Sequence, residues 1–554
     1  MDRFKVRFVP LGGVVGVTKN MYLYELYKND ALQDILIVDC GIGFPKEQEF
    51  GVDHEIPDIT YLKDKVDKIR AVLLTHGHED HITALRFHYN ALGQPPVYGS
   101  TLTALFVENK CREFKINLKV KVVSFDEVYA FGDFRAKFVR MTHSIPDTTH
   151  ILIKTPIGAI YHGSDFKMDL SPPFGYKPDF YEISKAGKEG VMCLMSDCLG
   201  SDREGFTLSE SAVGKTFEDE IRSTQGKFIM STFASNISRI RQCAEAAIKF
   251  NRKVCLLGRS MVDNAKLVKD IGYFPIPPQH LITDKQVRKY KPHSVCIIAT
   301  GSQGQFNAAL PRLVMGENRY FNLTKGDKVV FSSDPIPGNE DNVYEIIEHL
   351  YELDIDVRYS DIHEQLHASG HGSQGDMKLL MSMTQPKYII PIGGTVRHQH
   401  IYRDLAKEMG HKESDVFILR EGDTVWFSKE EGAKRGDRVK TKNIYVDSYG
   451  VGDVGDMILR DRMTLSKEGV VFALIYVDNH GQMVKQPEFS SRGFIFNKTK
   501  SSQDIFNEAA KEISDMFAKT PETPLKREMV GKLEYYFRKK TGKEPLIVLE
   551  IVKV

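Results

Sequence analysis

Residues 76–81, HGHEDH, bring three imidazoles and two carboxylates together directly after the apolar run AVLLT. In a tight loop, His76 and His78 can be directed at one cation while Asp80 and His81 face a second. Imidazole nitrogen and carboxylate oxygen are donors with which proteins bind zinc or manganese. A single histidine is usually structural, but four potential ligands in the pattern HxHxDH predict a metal site.

Two further loops carry residues of the same chemistry. His143 follows the run FVRMT, and Asp165 follows AIYHGS. Each alone has an ordinary alternative, His143 as a cap and Asp165 as a turn former. Together with HGHEDH they predict a two-metal site in which Asp165 bridges, because a shared carboxylate lowers the mutual repulsion of two cations. Two cations about 3.5–4 Å apart stabilise the attacking and leaving oxygens of a phosphoryl substitution, so this chemistry fits hydrolysis.

The elements that position these residues differ along the chain. Up to about residue 205, short apolar runs end in polar loops, whereas residues 206–363 alternate apolar runs with helical stretches. The alternation predicts a parallel sheet covered by helices, with ligands at the carboxyl ends of its strands. The charged segment from Ser428 to Lys442 is the best linker candidate. Beyond it, VVFALIYVD and SRGFIFNK are predicted strands, and Ser501 to Lys519 is a predicted amphipathic helix.

The overall composition excludes several classes of protein. Among 554 residues, 75 Lys and Arg face 74 Asp and Glu, which gives a formal charge of +1. This balance argues against a histone-like or tail-driven nucleic-acid binder but permits a local basic channel. The seven cysteines form no CxxC pair, and no run of about 18 apolar residues occurs, so neither a disulfide framework nor a membrane span is predicted. We expect a cytoplasmic protein without a membrane partner.

In their order, the motifs resemble those of the ribonuclease J family, in the β-CASP branch of the metallo-β-lactamase superfamily. HxHxDH with a spaced His and Asp is similar to the metallo-β-lactamase core. The likeness covers nearly the whole chain through LGG, FPKEQEFGVDHEIPDITYL, THGHEDH, HSIPD, GSDFK, TFASN, GRSM, TGSQG, PIPGNE, HASGH, VGDVGDMILRDR and SRGFIFNK. Several of these motifs are weak individually, but their order and spacing make the resemblance strong.

The resemblance implies an α/β fold in which a metallo-β-lactamase αββα core, residues 1–205 and 364–440, is interrupted by a β-CASP α/β insertion, residues 206–363. A small C-terminal α+β domain, residues 441–554, would serve assembly as a homodimer, a homotetramer or a hetero-oligomer with a paralogue. The implied cofactors are two divalent ions, Zn²⁺ or Mn²⁺. Their implied ligands are His76, His78, Asp80, His81, His143 and Asp165.

The activity implied by the resemblance is cleavage of single-stranded RNA in rRNA processing and mRNA decay. The RNA would pass between core and insertion, held by its phosphates. A 5′-monophosphate would permit 5′→3′ exonucleolysis, alongside endonucleolytic cleavage.

The HASGH loop resembles the family's phosphate-binding HxSGH motif. Imidazole, hydroxyl and a closely approaching glycine amide donate hydrogen bonds to phosphate oxygens. By resemblance, His371 contacts the scissile phosphate and protonates or stabilises the leaving oxygen, while Asp80 orients the nucleophile, which makes these two the catalytic residues. The alternative is a plain Gly-rich turn. The loop consists of His367, Ala368, Ser369, Gly370 and His371.

Ser235 and Asn236 in TFASN follow the run KFIMS and precede a predicted helix. Hydroxyl, amide and helix N-terminus would converge there on an anion. The resemblance implies that this is the pocket for the 5′ phosphate of RNA. An ordinary helix N-cap is the alternative.

A structural cation site is also implied by resemblance. Gly51, Asp53 and Asp447 resemble positions at which some family members hold a structural cation, here Ca²⁺. Acidic turn residues are usually only solvated, which is the alternative.

One departure from the family pattern falls on a metal ligand. The family places a histidine in an HGE loop 22 residues after the last histidine of HxSGH, where this chain has Gly393, with Thr395 in place of the glutamate. The second metal therefore loses an imidazole. Asp80, His81 and Asp165 could still hold it with water, or His398 or His400 could turn in, although each of these two is more often a helix-surface histidine.

Three functions are weighed against these patterns. A metal-dependent ribonuclease has the broadest support from the motifs. A catalytically weak RNA-binding subunit that pairs with an active paralogue is supported by Gly393. A small-molecule hydrolase shares HxHxDH but needs neither HASGH nor the insertion. Because the other clustered ligands are retained, the hypothesis of an active ribonuclease is favoured over that of a catalytically weak subunit.

Overall fold

The structure is a computed structural model that describes residues 2–45, 49–274, 276–336, 339–360, 366–447, 450–452, 454–494, 500–519 and 525–554. Contacts divide the chain into two compact units. The first comprises Met1–Phe44 and Glu55–Ile444, and the second Pro45–His54 and Tyr445–Val554.

The strands up to residue 205 are β1 (Phe4–Pro10), β2 (Tyr22–Lys28), β3 (Ala31–Val38), β4 (His54–Ile56), β5 (Ile69–Leu73), β6 (Val97–Gly99), β7 (Val120–Val122), β8 (Tyr129–Phe131), β9 (Phe134–Arg140), β10 (Thr149–Thr155), β11 (Gly158–Gly163) and β12 (Val191–Asp197). The later strands of the first unit are β13 (Phe228–Ser231), β14 (Lys253–Leu257), β15 (Leu281–Ile282), β16 (Val295–Ala299), β17 (Lys328–Phe331), β18 (Asp356–Arg358), β19 (Tyr388–Ile392), β20 (Thr424–Ser428) and β21 (Gly432–Gly436). Its helices are α1 (Glu79–Ile82), α2 (Leu85–His88), α3 (Thr101–Glu113), α4 (Phe180–Glu189), α5 (Ser211–Ser223), α6 (Ile237–Lys249), α7 (Arg259–Lys269), α8 (Ala309–Val314), α9 (Glu340–Glu352), α10 (Gln374–Thr384) and α11 (Val396–Glu408).

Two sheets form the centre of the first unit. One has the order β21-β20-β1-β2-β3-β5-β6-β7, and the other β19-β12-β11-β10-β9-β8. Alternate side chains point to opposite faces of a strand, so Phe134 and Phe138 of β9 enter the core between the sheets together with Phe8 of β1. Val139 and Leu152 face the other way, into a cluster with side chains of α4, α10 and α11. The predicted αββα core is confirmed in this layering.

The described part of residues 206–363 contains a third sheet, of order β15-β14-β16-β13-β17-β18, in which the described strand pairs are parallel. Its inner strands β13, β14, β16 and β17 are mostly apolar, as expected where helices cover both faces. A core of its own includes Ile297, Val329 and Ile346. The predicted parallel α/β insertion is therefore confirmed.

The structure differs from the sequence prediction between Ser428 and Lys442. Part of this charged segment forms β21, which pairs antiparallel with β20 at the edge of the first sheet. A left-handed Gly432 (φ +71°) makes the reversal, and edge strands commonly carry Lys and Arg, because these discourage pairing with another chain. The charge pattern thus reflects an edge strand as well as a connection.

The remaining elements are β22 (Ile444–Asp447), β23 (Gly450–Val451), α12 (Asp456–Glu468), β24 (Val470–Val477), β25 (Met483–Arg492), α13 (Lys500–Lys519), α14 (Lys526–Thr541) and β26 (Leu546–Lys553). In the second unit, β25-β24-β26 form a mixed sheet whose core includes Ile475, Ile513 and Phe537. The strand in VVFALIYVD and the amphipathic helix are confirmed. In SRGFIFNK, Ser491 and Arg492 end β25, and the second half of the segment lies outside the described residues. Among the described helices, none combines the length and apolarity needed to cross a bilayer.

Candidate active site

The candidate ligands lie at one edge of the two central sheets, on loops and, for Asp80 and His81, on the short helix α1. The HGHEDH loop follows β5, His143 follows β9, and Asp165 follows β11. Since β10 runs antiparallel to both β9 and β11, these two strands end at the same edge. Residues far apart in the chain are thereby brought to one place.

The first group of potential ligands comprises His76, His78, His143 and Asp165. Nδ1 of His78 lies 3.1 Å from Nε2 of His76 and 3.2 Å from Nε2 of His143. Oδ2 of Asp165 lies 3.8 Å and 3.7 Å from the same two Nε2 atoms. Donor atoms around a tetrahedral zinc ion, at about 2.0–2.1 Å, are spaced at about 3.3 Å, so this group fits a divalent cation.

A second group comprises Asp80, His81 and Asp165. Nε2 of His81 lies 3.3 Å from Oδ2 of Asp165 and 3.5 Å from Oδ2 of Asp80. The same Asp165 oxygen therefore belongs to both groups. This is the arrangement expected of a carboxylate that bridges two cations.

Hydrogen bonds from neighbouring side chains fix the orientation of histidines in both groups. The Thr75 hydroxyl donates to Oδ2 of Asp39, so that the hydroxyl oxygen accepts from Nδ1–H of His76 at 3.0 Å. Nδ1–H of His81 donates to the same Asp39 oxygen at 2.7 Å. In His76, whose pKa is lowered by burial, the lone pair is thus left on Nε2, and in His81 the contact with Asp39 turns Nε2 towards the ligand group. Such partners orient metal-binding imidazoles. The sequence reasoning missed Asp39 and Thr75, although both follow apolar strands, β3 and β5.

The HASGH loop supports the metal centre through its backbone. Nδ1–H of His143 donates to the carbonyl oxygen of Gly370 at 2.6 Å, which again leaves Nε2 for a cation. A Cβ atom at residue 370 would lie 2.7 Å from Cε1 of His143. Glycine is therefore required there by the close approach of the imidazole.

Burial keeps the imidazoles of the first group neutral. It is the main cause that lowers the pKa of His76 and His143 well below the usual value and that of His78 to about 3, with neighbouring histidines contributing. Burial also raises the pKa of Asp80 to about 6, against the opposing effect of His81. Neutral imidazoles and a carboxylate that ionises near neutrality are suited to bind cations.

Asp197, at the end of β12, was not predicted as a site residue. Its Oδ2 accepts from Nδ1–H of His371 at 2.7 Å, and its Oδ1 accepts from the amide of Leu199 at 2.8 Å. Burial lowers the pKa of His371, but Asp197 and Asp165 outweigh it and raise the pKa to about 9. The imidazole is thus held as a proton donor whose Nε2 lies 3.9 Å from Asp165. A carboxylate closing an apolar strand, VMCLMSD, was the available signal.

The position of Gly393 borders the second group. A Cβ atom there would lie 3.5 Å from Oδ1 of Asp165 and 3.4 Å from Oδ1 of Asp197. A side chain at 393 would therefore reach the centre. His398 does not take its place, because Nδ1 of His398 bonds Thr395 at the start of α11 and its Nε2 lies near Asp202. His400 is exposed.

The substrate-side candidates meet where the start of α6 contacts the HASGH loop. Asn236 is buried and caps α6, since its Oδ1 accepts from the amide of Arg239 at 3.1 Å. Asn236 therefore acts as an ordinary N-cap, which was the alternative to a phosphate pocket, and Ser235 beside it is half-buried. Arg239 also contacts His367 and the carbonyl of Ala368. The TFASN helix and the HASGH loop are in this way brought together, and Ser369 accepts from the amide of His371.

The predicted structural cation site contains an arginine. Nη2 of Arg462 lies 3.0 Å from Oδ2 of Asp447, and Nη1 donates to the carbonyl of Phe50. A Cβ atom at Gly51 would lie 2.8 Å from the same guanidinium, and Asp53 is exposed. Arg462 supplies the positive charge next to Asp447, so these residues do not fit Ca²⁺ in contact with that carboxylate.

Comparison with protein-family models identifies four consecutive regions. Residues 16–156 match the metallo-beta-lactamase superfamily, and residues 225–350 match the ribonuclease J beta-CASP domain. Residues 354–419 match the Zn-dependent metallo-hydrolase RNA specificity domain, and residues 457–554 the ribonuclease J C-terminal domain. These matches agree with the layered core, the parallel insertion and the C-terminal α+β unit.

Two curated relatives are similar over almost their whole length. Ribonuclease J2 of Bacillus subtilis (strain 168) is 35% identical over 99% of both chains. Ribonuclease J 1 of Streptococcus pyogenes is 35% identical over 97% of this chain and 96% of its own. Among solved structures, a protein of unknown function from Enterococcus faecalis V583 aligns with a TM-score of 0.56 and 16% identity, over 76% of this chain and all of its own, which supports the fold alone. The chain therefore belongs to the ribonuclease J family of metal-dependent ribonucleases.

Proposed function

We propose that the protein cleaves single-stranded RNA, by 5′→3′ exonucleolysis from a 5′-monophosphate and by endonucleolysis, in rRNA processing and mRNA decay. The observation that carries the proposal is the meeting of two ligand groups at Asp165 with the Asp197–His371 pair directly beside them. Ribonuclease names of the relatives and the HASGH loop support RNA as the substrate.

The side chains have separable roles in this proposal. Divalent cations, Zn²⁺ or Mn²⁺, supply an activated nucleophile and stabilise charge on the phosphate when they are bound. His76, His78 and His143 would hold one cation, and Asp80 and His81 the other, with Asp165 between them. Asp80 would also orient the nucleophile. His371, protonated beside Asp197, would donate its proton to the leaving oxygen.

Recognition of the substrate is assigned to the neighbouring loops. His367, Ser369 and the backbone of the HASGH loop would hold phosphates of the RNA, and Ser235 at the start of α6 would face the 5′ phosphate. The C-terminal unit would serve assembly with a second copy or with a paralogue. We place the protein in the cytoplasm.

Gly393 favours a second candidate function, that of a catalytically weak RNA-binding subunit which pairs with an active paralogue. The second ligand group contains one imidazole and lacks a side chain at 393. A centre with fewer donors binds its cation more weakly, so activity would depend on the metal concentration.

The decisive experiment is incubation of the purified full chain with 5′-monophosphorylated RNA and either Mn²⁺ or Zn²⁺. We expect metal-dependent release of mononucleotides, and loss of this release in Asp80→Ala, which removes a carboxylate from the second group. Binding of RNA without cleavage in any metal would instead establish the second candidate function.

The role of position 393 in metal binding can be tested separately. Gly393→His is expected to raise the metal content of the second site, because its side chain starts within 3.5 Å of two carboxylate oxygens. The residue has φ +68°, so a non-glycine residue costs about 1–2 kcal/mol. Gly393→Ala carries the same backbone cost without an imidazole and is the matched control. Equal metal content of the two variants, measured by atomic emission, would show that 393 is not a ligand position.

A further inference from the structure

Arg239, in the first turn of α6, is fully buried and uses every donor of its guanidinium. Nε and Nη2 form a fork on the carboxylate of Glu210 at 2.8 and 2.7 Å. Nη1 donates to the carbonyl of Ser332 at 2.6 Å and to Nδ1 of His367 at 2.8 Å. Nη2 donates also to the carbonyl of Ala368 at 3.0 Å. Five N–H groups and five acceptors are thus matched.

The contact with His367 determines where the imidazole proton lies. A guanidinium has donors but no acceptor, so Nδ1 of His367 must accept and carries no proton. The proton of a neutral His367 is then on Nε2. This nitrogen points away from Arg239, towards Oδ2 of Asp334 at 3.5 Å, and the side chain is 15% exposed.

The carboxylate that binds Arg239 also contacts a residue of the core. Glu210, which receives the fork, is buried and lies 3.5 Å from Nζ of Lys167, itself buried in the loop after Asp165. The carboxylate is thus shared between a cation of the core and a cation of the insertion. Charge-assisted forks of this kind are geometrically specific, so the guanidinium holds a fixed position under the HASGH loop.

We propose that Arg239 is a positioning residue, which locks His367 as a neutral Nε2–H donor to an RNA phosphate and fixes the carbonyl of Ala368. The inference rests on the proposed function, since it assigns phosphate binding to His367. A neutral donor of fixed orientation binds a phosphate oxygen without a change of protonation, whereas a free histidine would gain and lose its charge near pH 6.5. Phosphate binding would then not depend on the charge of His367 at neutral pH.

The surroundings of His367 are consistent with a neutral ring. Burial is the main cause that lowers the pKa of His367 well below its usual value, and Arg239, Lys167 and Arg203 lower it further. The carbonyl of Ser332 opposes this, and Oδ2 of Asp334 lies 3.5 Å from Nε2. These are the charged and hydrogen-bonding groups that face the imidazole from α6, from the loops after β11 and β12, and from the end of β17.

The first test measures the tautomer directly in the full chain. Long-range ¹H–¹⁵N spectra of histidine-labelled wild-type protein, with His367→Gln to assign the signal, are expected to show a neutral ring with its proton on Nε2 from about pH 8 to about pH 6. This measurement needs no RNA and no cleavage. A proton on Nδ1, or a doubly protonated ring at neutral pH, would overturn the proposal even if the protein is an active nuclease.

The second test compares two buried arginines of the insertion. Arg252 donates only to backbone carbonyls, those of Gly226, Val295, Ile221 and Thr224, and contacts neither core nor HASGH loop through these bonds. Arg239→Lys keeps the charge but cannot form the fork or reach all acceptors. Arg252→Lys makes the same exchange at a purely structural site and is the matched control.

We expect Arg239→Lys to raise KM for 5′-monophosphorylated RNA about tenfold, as for the loss of one charge-assisted hydrogen bond, with kcat within about twofold. Its KM should also fall towards acid pH as His367 regains a proton. Arg252→Lys should lower the melting temperature and leave KM and its pH dependence unchanged. Equal changes of KM in both variants would show that Arg239 has only a structural role. Absence of all cleavage in the wild type would count against the proposed function, and the tautomer of His367 would still test the inference about Arg239. The tautomer also decides it where Arg239→Lys does not fold.

Discussion

Asp165→Asn is expected to reduce the bound metal from two equivalents to fewer than one and to lower RNA cleavage by about a thousandfold or more. Oδ2 of Asp165 lies within 3.8 Å of a nitrogen of His76, His81 and His143, so one oxygen serves both ligand groups. An amide carries no charge to offset two cations. Loss of about 4 kcal/mol of electrostatic stabilisation corresponds to about 10³ in rate.

The matched control for this substitution is Asp169→Asn. Asp169 is also a buried carboxylate, four residues further on, but it accepts from the amides of Ser171 and Glu210 and from the hydroxyl of Ser209. We expect this control to lose stability and keep its metal. Metal content is measured by atomic emission after gel filtration and cleavage on end-labelled RNA. If Asp165→Asn retained two equivalents of metal, the assignment of Asp165 as the shared ligand would be wrong.

Asp197→Asn is expected to lower cleavage at pH 8 by about a hundredfold while the metal content stays unchanged. Burial alone would lower the pKa of His371, and the Asp197 carboxylate is the largest influence that raises it, to about 9. The proposed acid must be protonated to act, so activity is lost as the pH rises through this pKa. Removal of the carboxylate lowers the pKa, and the alkaline limb of the rate profile moves to lower pH.

The profile of kcat/KM against pH checks this result. We expect the alkaline limb to shift by about 1–3 pH units, the usual influence of one opposite charge. His371→Gln should abolish the alkaline limb and most of the activity, because it removes the proposed proton donor. An unchanged limb in Asp197→Asn would exclude His371 as the group that donates the proton.

The sequence was most informative where the chemistry is local. HGHEDH places four potential ligands within six residues, and the structure brings His143 and Asp165 to the same centre. The parallel insertion could be predicted because buried parallel strands are continuous apolar runs separated by helices. The missing ligand at Gly393 could also be recognised from the sequence, because alignment with the family motif places a histidine at this position. In the structure, a Cβ atom at residue 393 would point towards Asp165 and Asp197.

The sequence was least informative where function depends on partners distant in the chain. Asp197 meets His371 across 174 residues, and Arg239 meets His367 across 128. Neither pair has a local pattern, because a lone aspartate after a strand or a lone arginine in a helix is usually structural. The charged edge strand β21 was interpreted as linker for a related reason, since pairing with β20 rather than apolarity makes it a strand.

By themselves, periodicity and short-range spacing in the sequence predicted the parallel sheet of the insertion and the types of donor available to a metal, whereas the interrupted core and the order of the parts were implied by the resemblance to the family. Only the tertiary structure decided which proton each histidine holds. The tautomer of His76 depends on Thr75 and Asp39, and that of His143 on the backbone of Gly370. The physical reason is that a proton's position is set by contact at hydrogen-bond distance, and such contacts arise only when strands from separate parts of the chain end at the same edge.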